Sequence, residues 1–332
     1  MRTRALLEAI DARKLHLIVL PTEQCNFRCV YCYEDFAVSR MAPTVIDAIK
    51  GFLKQRLPHL SELTVSWFGG EPLLAHDIVF DIMSYVACNR HADLSYSSDM
   101  TTNGYKLTPE ILEKLVALNV RNFQVSVDGP AEQHDAKRPL ANGRGTFERI
   151  WQNLVSAKQL KETFHINVRV HLDRENIDSM MEFLRTFASE FASDRRFALY
   201  LRHVSKLGGA RDSELPVLHK EELSRVASLR TFAESLGLRT VAVKDAEYIC
   251  YAVKPNSFVV RADGRLAKCT VAFNSEYNNI GKLLPDGRLE IDHNKLPVWM
   301  KGLASGERSE LLCPLNSHVR KMSEDASART IG

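Results

Sequence analysis

The segment QCNFRCVYCYE (24–34) places Cys25, Cys29 and Cys32 in the spacing C-x3-C-x2-C on one short stretch. Such crowding is rare for cysteines with only a packing role. Three thiolates on a tight loop can hold three irons of a [4Fe–4S] cube and leave the fourth iron without a protein ligand. A tetrahedral zinc site would need a further Cys or His close by, and this loop offers none. The thiols therefore read as ligands of a cluster with one open metal position.

A loop of this kind needs a frame. The chain has 332 residues, 45% hydrophobic and 26% charged, the balance of a globular protein with a large core. Its length favours one large α/β domain with a smaller module. The net charge is +3 and the basic residues are scattered rather than striped, which argues against nucleic acid or a membrane surface as the main partner. No run approaches the ~18–20 apolar residues of a membrane-spanning helix, and Glu8, Asp11 and Arg13 interrupt any signal-like N-terminus. A cytoplasmic, reducing location is expected. There, seven cysteines read as metal ligands or buried thiols and not as a disulfide framework.

Short β-branched runs alternate with longer amphipathic segments. LHLIVL (15–20), LTVSWF (63–68), SYSSDMTT (95–102), FQVSV (123–127), INVRVHL (166–172) and FALYLRH (197–203) read as strands. Helices are expected over 43–57, opened by Pro43, near 75–90, from Pro109, and around 146–160, 175–190 and 218–236. Six strand–helix repeats predict a parallel barrel or part of one, with chemistry at the strand C-termini. A doubly wound sheet would give a similar string. Beyond about residue 244 the pattern changes, and SFVVRADGRLAKCT and NNIGKLLPDGRLEI each read as a hairpin turning at Asp-Gly. The expected organisation is an α/β chain with a partial (β/α)6 TIM-like barrel over 1–240, a small C-terminal β-rich module over 241–322, and a flexible tail over 323–332.

C-x3-C-x-aromatic-C after the first strand of a βα barrel resembles the signature of radical S-adenosylmethionine (SAM) enzymes. The resemblance continues through GGEP (69–72), TTNG (101–104) and SVDG (126–129), each ending a strand. HDAKRPLANGRGTF (134–147) is similar to the linker of the peptide-modifying branch. The resemblance implies that Cys25, Cys29 and Cys32 carry a [4Fe–4S] cluster whose open iron chelates the amino and carboxylate groups of SAM. It implies further that Tyr31 lies against the adenine and that Asn103 belongs to the cofactor site. Gly69 and Gly70 would bring backbone groups to the cofactor ammonium, with no Cβ in the way. Glu71 would offer a carboxylate there, or act as a structural turn acid ahead of Pro72. Ser126 and Asp128, two apart on an extended segment, suit the ribose hydroxyls or hydrogen bonds within the barrel top. Arg138 is a candidate for the cofactor carboxylate or for substrate. The reaction implied is one-electron cleavage of the C–S bond of SAM, after which a 5′-deoxyadenosyl radical takes a hydrogen from substrate inside an apolar barrel.

Cys250 and Cys269 bracket the first hairpin, and Gly264 to Cys269 fits G-x4-C, which resembles the opening half of a SPASM or twitch module. Cys313 would be a third ligand. This implies one auxiliary iron–sulfur cluster, with its fourth site taken by His293, His318, a substrate group or Cys88. Cys88 lies on a helical segment and reads better as a packed thiol. Zinc on the same residues, or a decayed module holding nothing, are the alternatives. Arg169, Arg202, His165, His171 and His203 lie at strand ends and read first as hydrogen-bonded edge residues, or else as rim groups facing substrate. Trp67 reads as packing.

The function expected from the resemblance is a radical maturase that acts on a ribosomal peptide or protein, forming a crosslink, a thioether, an epimer or an oxidised residue. Electrons would come from a donor such as flavodoxin or ferredoxin. No winged-helix extension precedes the first strand, so a leader-binding domain would come from a separate protein. A formylglycine-forming sulfatase maturase is the second candidate, weakened by Thr270 where that group has an aspartate after the G-x4-C cysteine. An iron–sulfur electron carrier or redox sensor would use the same cysteines, but a pure carrier has no use for GGEP and SVDG together at strand ends.

Overall fold

The computed structural model describes residues 2–241 and 248–322; the expected tail lies outside the described residues. Six strands, β1 (Lys14–Val19), β2 (Glu62–Trp67), β3 (Ser95–Thr102), β4 (Val120–Ser126), β5 (His165–Leu172) and β6 (Phe197–His203), pair in parallel and strictly in chain order. A doubly wound sheet reverses its strand order part-way, so the order alone settles the choice in favour of a partial barrel. The chain returns through α2 (Pro43–Arg56), α3 (His76–Asn89), α4 (Pro109–Ala117), α6 (Phe147–Ala157), α7 (Met180–Phe191) and α8 (Leu223–Ser235), near the expected positions. Pro43 and Pro109 each open their helix, where a missing N–H costs nothing, and the Thr108 hydroxyl caps α4 by accepting from the Ile111 N–H at 3.4 Å.

Four short helices were not foreseen: α1 (Arg2–Ile10), α5 (Ala131–Lys137), α9 (Leu296–Ser305) and α10 (Arg308–Leu312). The reason is clear for α5, whose buried residues include His134 and Lys137, so no apolar period marks it.

The strands bury two different faces. Leu17, Val19, Val65, Trp67, Phe123, Val125, Ile166 and Val168 belong to the main core. Trp67 is 1% exposed, with its Nε1 donating to Ser98 Oγ at 3.1 Å, a packing residue as expected. Residues on the alternate positions are largely polar. His16 Nε2 lies 2.8 Å from Ser66 Oγ, which in turn donates to Asp99 Oδ2 at 2.7 Å across three adjacent strands. Apolar packing on that face is confined to a small group of Ile18, Leu20, Val259 and Ala267 with Phe68, Tyr251 and Phe273 against it. The inward face of the strands is thus largely polar, because a part-barrel leaves its concave face around a cavity instead of closing it into a core. The cavity above their C-terminal ends is also walled by Phe27, Phe36, Phe68 and Leu207, as the expected apolar lining requires.

The C-terminal strands join the same sheet. β7 (Ser257–Val260) pairs in parallel with β1, and β8 (Arg265–Ala267), β9 (Gly281–Leu283) and β10 (Leu289–Ile291) follow antiparallel. Both hairpins turn where the Asp-Gly pairs predict, with Gly264 at φ 84° and Gly287 at φ 83°. Arg261, just past β7, makes a buried two-pronged ion pair with Glu23, its Nε 3.0 Å from Oε1, and the Ala262 N–H adds a third donor at 3.3 Å. This contact ties the C-terminal strands to the entrance of the cysteine loop. No helix among the described residues is long and apolar enough to cross a membrane.

Candidate active site

The cysteine loop leaves β1 and is laced to the segment that follows α5. Arg28 N–H donates to Pro139 O at 2.9 Å, Val30 N–H to Lys137 O at 3.0 Å, and Ala141 N–H to Asn26 O at 2.8 Å. A turn within the loop closes with Cys32 N–H on Cys29 O at 3.1 Å. Cys25, Cys29 and Cys32 border one cavity at the C-terminal end of the parallel strands, together with Tyr31, Gly69, Gly70, Asn103, Ser126 and Arg138. Residues from seven separate stretches of sequence meet there.

Two predicted residues stand behind that wall instead. Glu71 is fully buried, and its carboxylate accepts from Leu73 N–H at 2.9 Å, Thr102 Oγ1 at 2.7 Å and Asn103 N–H at 2.6 Å. It therefore fixes the turns after β2 and β3 to each other. Asp128 is also fully buried. Its Oδ1 accepts from His171 N–H at 2.9 Å and meets His171 Nδ1 at 3.0 Å, while Oδ2 accepts from the Tyr31 hydroxyl. Arg138 Nη1 donates to the same hydroxyl at 2.5 Å and lies 3.9 Å from Oδ2. The surrounding positive and donor groups hold Asp128 well below the usual carboxylate range, despite burial, which acts the other way.

The two glycines are explained by protein backbone. A Cβ on Gly69 (φ 116°) would stand 2.2 Å from Thr22 O, and one on Gly70 would stand 2.5 Å from Gln24 O. GG therefore lets the turn after β2 press against the cysteine loop, and Glu71 N–H completes the seam on Gln24 O at 3.0 Å.

The HD…R…GTF segment also has a local logic. Asp128 N–H donates to His134 Nδ1 at 3.1 Å, so Nε2 carries the proton and donates to Thr146 Oγ1 at 3.0 Å. The Thr146 hydroxyl in turn donates to Arg138 O at 2.7 Å. Asp135 Oδ1 accepts from the N–H groups of Thr146 and Phe147 at 2.7 and 2.8 Å, capping α6, and a Cβ on Gly145 would strike its other oxygen at 2.3 Å. Together these residues set the position of Arg138, whose Nε is buried without a partner beside the cavity.

Burial pushes the Cys25 thiol up to about 12 and the Cys32 thiol up to about 11, and Cys29 also rises. Cys25 Sγ already receives the Phe27 N–H at 3.4 Å and Asn103 Nδ2 at 3.9 Å. Among the described residues no three Cys, His, Asp or Glu side chains converge on a single ion, and the three thiols share a cavity wall rather than a point. These soft, half-buried thiols, of which Cys25 already receives N–H···S contacts, fit an iron–sulfur cube with one open corner.

The second cysteine set is also brought together. Cys250 N–H donates to Leu311 O at 2.8 Å, two residues from Cys313, and both Cys250 and Cys313 help raise the Cys269 thiol, which burial puts at about 11. Val271 N–H donates to Cys269 Sγ at 3.4 Å, repeating the contact seen at Cys25. Candidate fourth ligands are less well placed. His293 is exposed, and His318 is held by Ser317 Oγ at 2.7 Å and Val298 O at 2.7 Å. Cys88, expected as a packed thiol, is exposed on α3, because the buried stripe of that helix is Ile78, Val79, Ile82, Met83 and Val86.

Several cavity residues were missed or left as edge groups: His171, Arg169, Arg202, His203, Gln124, Tyr33 and Glu34. Period-two alternation along β5 and β6 puts Arg169, His171 and Arg202 on the inward face, a signal present in the sequence once the barrel is accepted. Glu34 gave no such signal; burial and the nearby Glu23 push it up to about 8.

A family model described as the radical SAM superfamily matches residues 19–187. The AdoMet-dependent heme synthase of Methanosarcina barkeri (strain Fusaro) is 33% identical over 168 residues, covering 50% of this chain and 44% of that protein. The cysteine-type anaerobic sulfatase-maturating enzyme of Clostridium novyi is 23% identical over 80% of this chain and 76% of its own. Among solved structures, native anSMEcpe with bound AdoMet and Cp18Cys peptide superposes with a TM-score of 0.67 at 17% identity, covering 85% of this chain and 80% of that one, a likeness of fold. The chain spans 38% to 59% of the length of the first three curated relatives that it matches.

Proposed function

Because this chain belongs to the radical SAM superfamily, we propose that it is a maturase that cleaves SAM reductively and abstracts a hydrogen from a peptide or protein substrate. One observation carries the reading. Cys25, Cys29 and Cys32 border the same cavity as Gly69, Gly70, Asn103, Ser126 and Arg138, at the strand ends of a partial barrel. When bound there, a [4Fe–4S] cluster supplies the electron that breaks the C–S bond of SAM and so yields the 5′-deoxyadenosyl radical.

The chain's own residues do the positioning. Arg138, steered by Tyr31, Asp128 and the His134–Thr146 pair, presents its free Nε for the SAM carboxylate. Asn103 stands at the Cys25 sulfur, and Ser126 offers a hydroxyl for the ribose. The rings of Tyr31, Phe27 and Phe36 line the wall and keep water from it. A peptide or protein substrate is supported by the long match to a sulfatase-maturating enzyme. Formylglycine chemistry itself has little support, since Thr270 stands after Cys269 and its hydroxyl is engaged by Tyr251 at 2.9 Å. One auxiliary cluster on Cys250, Cys269 and Cys313, a flavodoxin-type or ferredoxin-type electron donor and a cytoplasmic location belong to the same proposal.

The test is anaerobic reconstitution with iron and sulfide, followed by reduction with SAM. Iron binding and 5′-deoxyadenosine are expected, and both are lost from the N-terminal site when Cys25, Cys29 and Cys32 are all changed to Ala. Undiminished 5′-deoxyadenosine in that variant sinks the proposal.

A further inference from the structure

Among the described residues, two cations on the cavity wall make no hydrogen bond or ion pair to the cysteine loop. Arg169 on β5 and Arg202 on β6 lie on adjacent strands, with His171 facing Arg202 in register and Tyr200 facing Arg169. Both border the cavity. Arg169 Nε is buried without a hydrogen-bond partner, and among the described residues neither arginine has a carboxylate within ion-pairing distance. Burial lowers Arg169 most, and its leading charged or polar neighbours are the phenols of Tyr31, Tyr200 and Tyr33, and Arg202 itself, a second positive charge. Its guanidinium carbon lies 5.9 Å from the Tyr200 ring, a contact too weak to stand in for an anion.

Two like charges on a sheltered wall, with no carboxylate among the described residues within ion-pairing distance, are unfavourable in isolation. Such a pair is explained by a ligand that brings the negative charge. A guanidinium presents its donors in a planar fork that matches a carboxylate, and two forks on neighbouring strands frame one. His203, the next residue after Arg202, also borders the cavity and adds a neutral donor. The SAM carboxylate is not the natural occupant. Arg138 is the guanidinium that stands against Cys29, and its Nε is free for that task, whereas the leading neighbours of Arg169 are Tyr31, Tyr200, Tyr33 and Arg202.

We propose that Arg169 and Arg202 form a carboxylate-binding subsite for the substrate, so that the peptide or protein is recognised through an Asp or Glu side chain or a free C-terminus. This rests on the maturase reading above and adds to it the chemical class of the group recognised.

The experiment uses the anaerobically reconstituted holoprotein with SAM and three heptapeptide pools whose flanks are randomised without Asp or Glu. One pool carries a central Glu and an amidated C-terminus, one a central Gln and an amidated C-terminus, and one a central Gln and a free C-terminus. Retention is measured by ultrafiltration and mass spectrometry. A pool bearing a carboxylate is expected to be held about tenfold better than the amidated Gln pool. Arg169→Gln and Arg202→Gln are expected to bring the pools to parity, with Arg169→Lys keeping part of the preference. SAM affinity stays within about twofold of wild type in these variants and falls in Arg138→Gln, which also reports that the variants are folded. Equal retention by the wild type, or a preference that survives both Gln substitutions, overturns the proposal. So does a loss of SAM affinity in Arg169→Gln to match Arg138→Gln, because that outcome assigns the wall to the cofactor. A wild type that binds acidic peptides but forms no 5′-deoxyadenosine would sink the maturase reading alone, since the comparison of pools needs no turnover.

Discussion

His134 has no exposed surface, yet it links the turn after β4 to the arginine beside the cysteines. Because it accepts the Asp128 N–H at Nδ1, it works only as the neutral ring. Burial, helped by Arg138, lowers it to about 4 from an ordinary 6.5. A histidine depressed on folding stabilises the native state above its unfolded value and loses that contribution as the pH falls towards the folded one. Thermal stability is therefore expected to drop between pH 6.5 and 4, and the drop is expected to shrink in His134→Gln; a variant with an unchanged pH profile contradicts this. The cysteine triad was legible in the sequence because spacing on one loop is local chemistry. The positions of Glu71 and Asp128 were not, since a carboxylate after a strand can face cavity or interior, and the choice depends on donors as remote as His171 and Asn103.

Among the elements, the six strands and the two Asp-Gly hairpins could be read from their periodicity, whereas α5 could not, because its buried face is polar. The turn after β2 shows what the elements demand of single positions. Gly69→Ala would drive a Cβ to 2.2 Å from the Thr22 carbonyl at a φ of 116°. A loss of about 3 kcal/mol or more in chemical denaturation is expected, together with poor iron retention as the cysteine loop is pushed aside. Gly143→Ala is the matched control. It also has a positive φ, 81°, but open space around it, so only about 1 kcal/mol of backbone strain is expected.

Across the whole molecule, the sequence divided the chain into a barrel and a β-rich module, and nothing in its periodicity announced that β7 would lie beside β1. Long-range pairing leaves no local mark, because any exposed strand edge can accept a neighbour. The Glu23–Arg261 pair fastens the same junction, with Glu23 2% and Arg261 7% exposed. Arg261→Met strands a buried carboxylate and is expected to cost about 3–5 kcal/mol in urea unfolding. The double variant Glu23→Gln with Arg261→Met should recover much of this, since an apolar or neutral pair carries no stranded charge.

The parallel pairing of β1 with β7 has a consequence for biosynthesis. The strand from which the thiol loop springs gains one flanking partner early in translation and the other only when residues near 260 have emerged. Until then a nascent polypeptide carries an unguarded edge directly beneath its three thiols, and stable assembly of the proposed cluster belongs after β7 has left the ribosome and covered that edge.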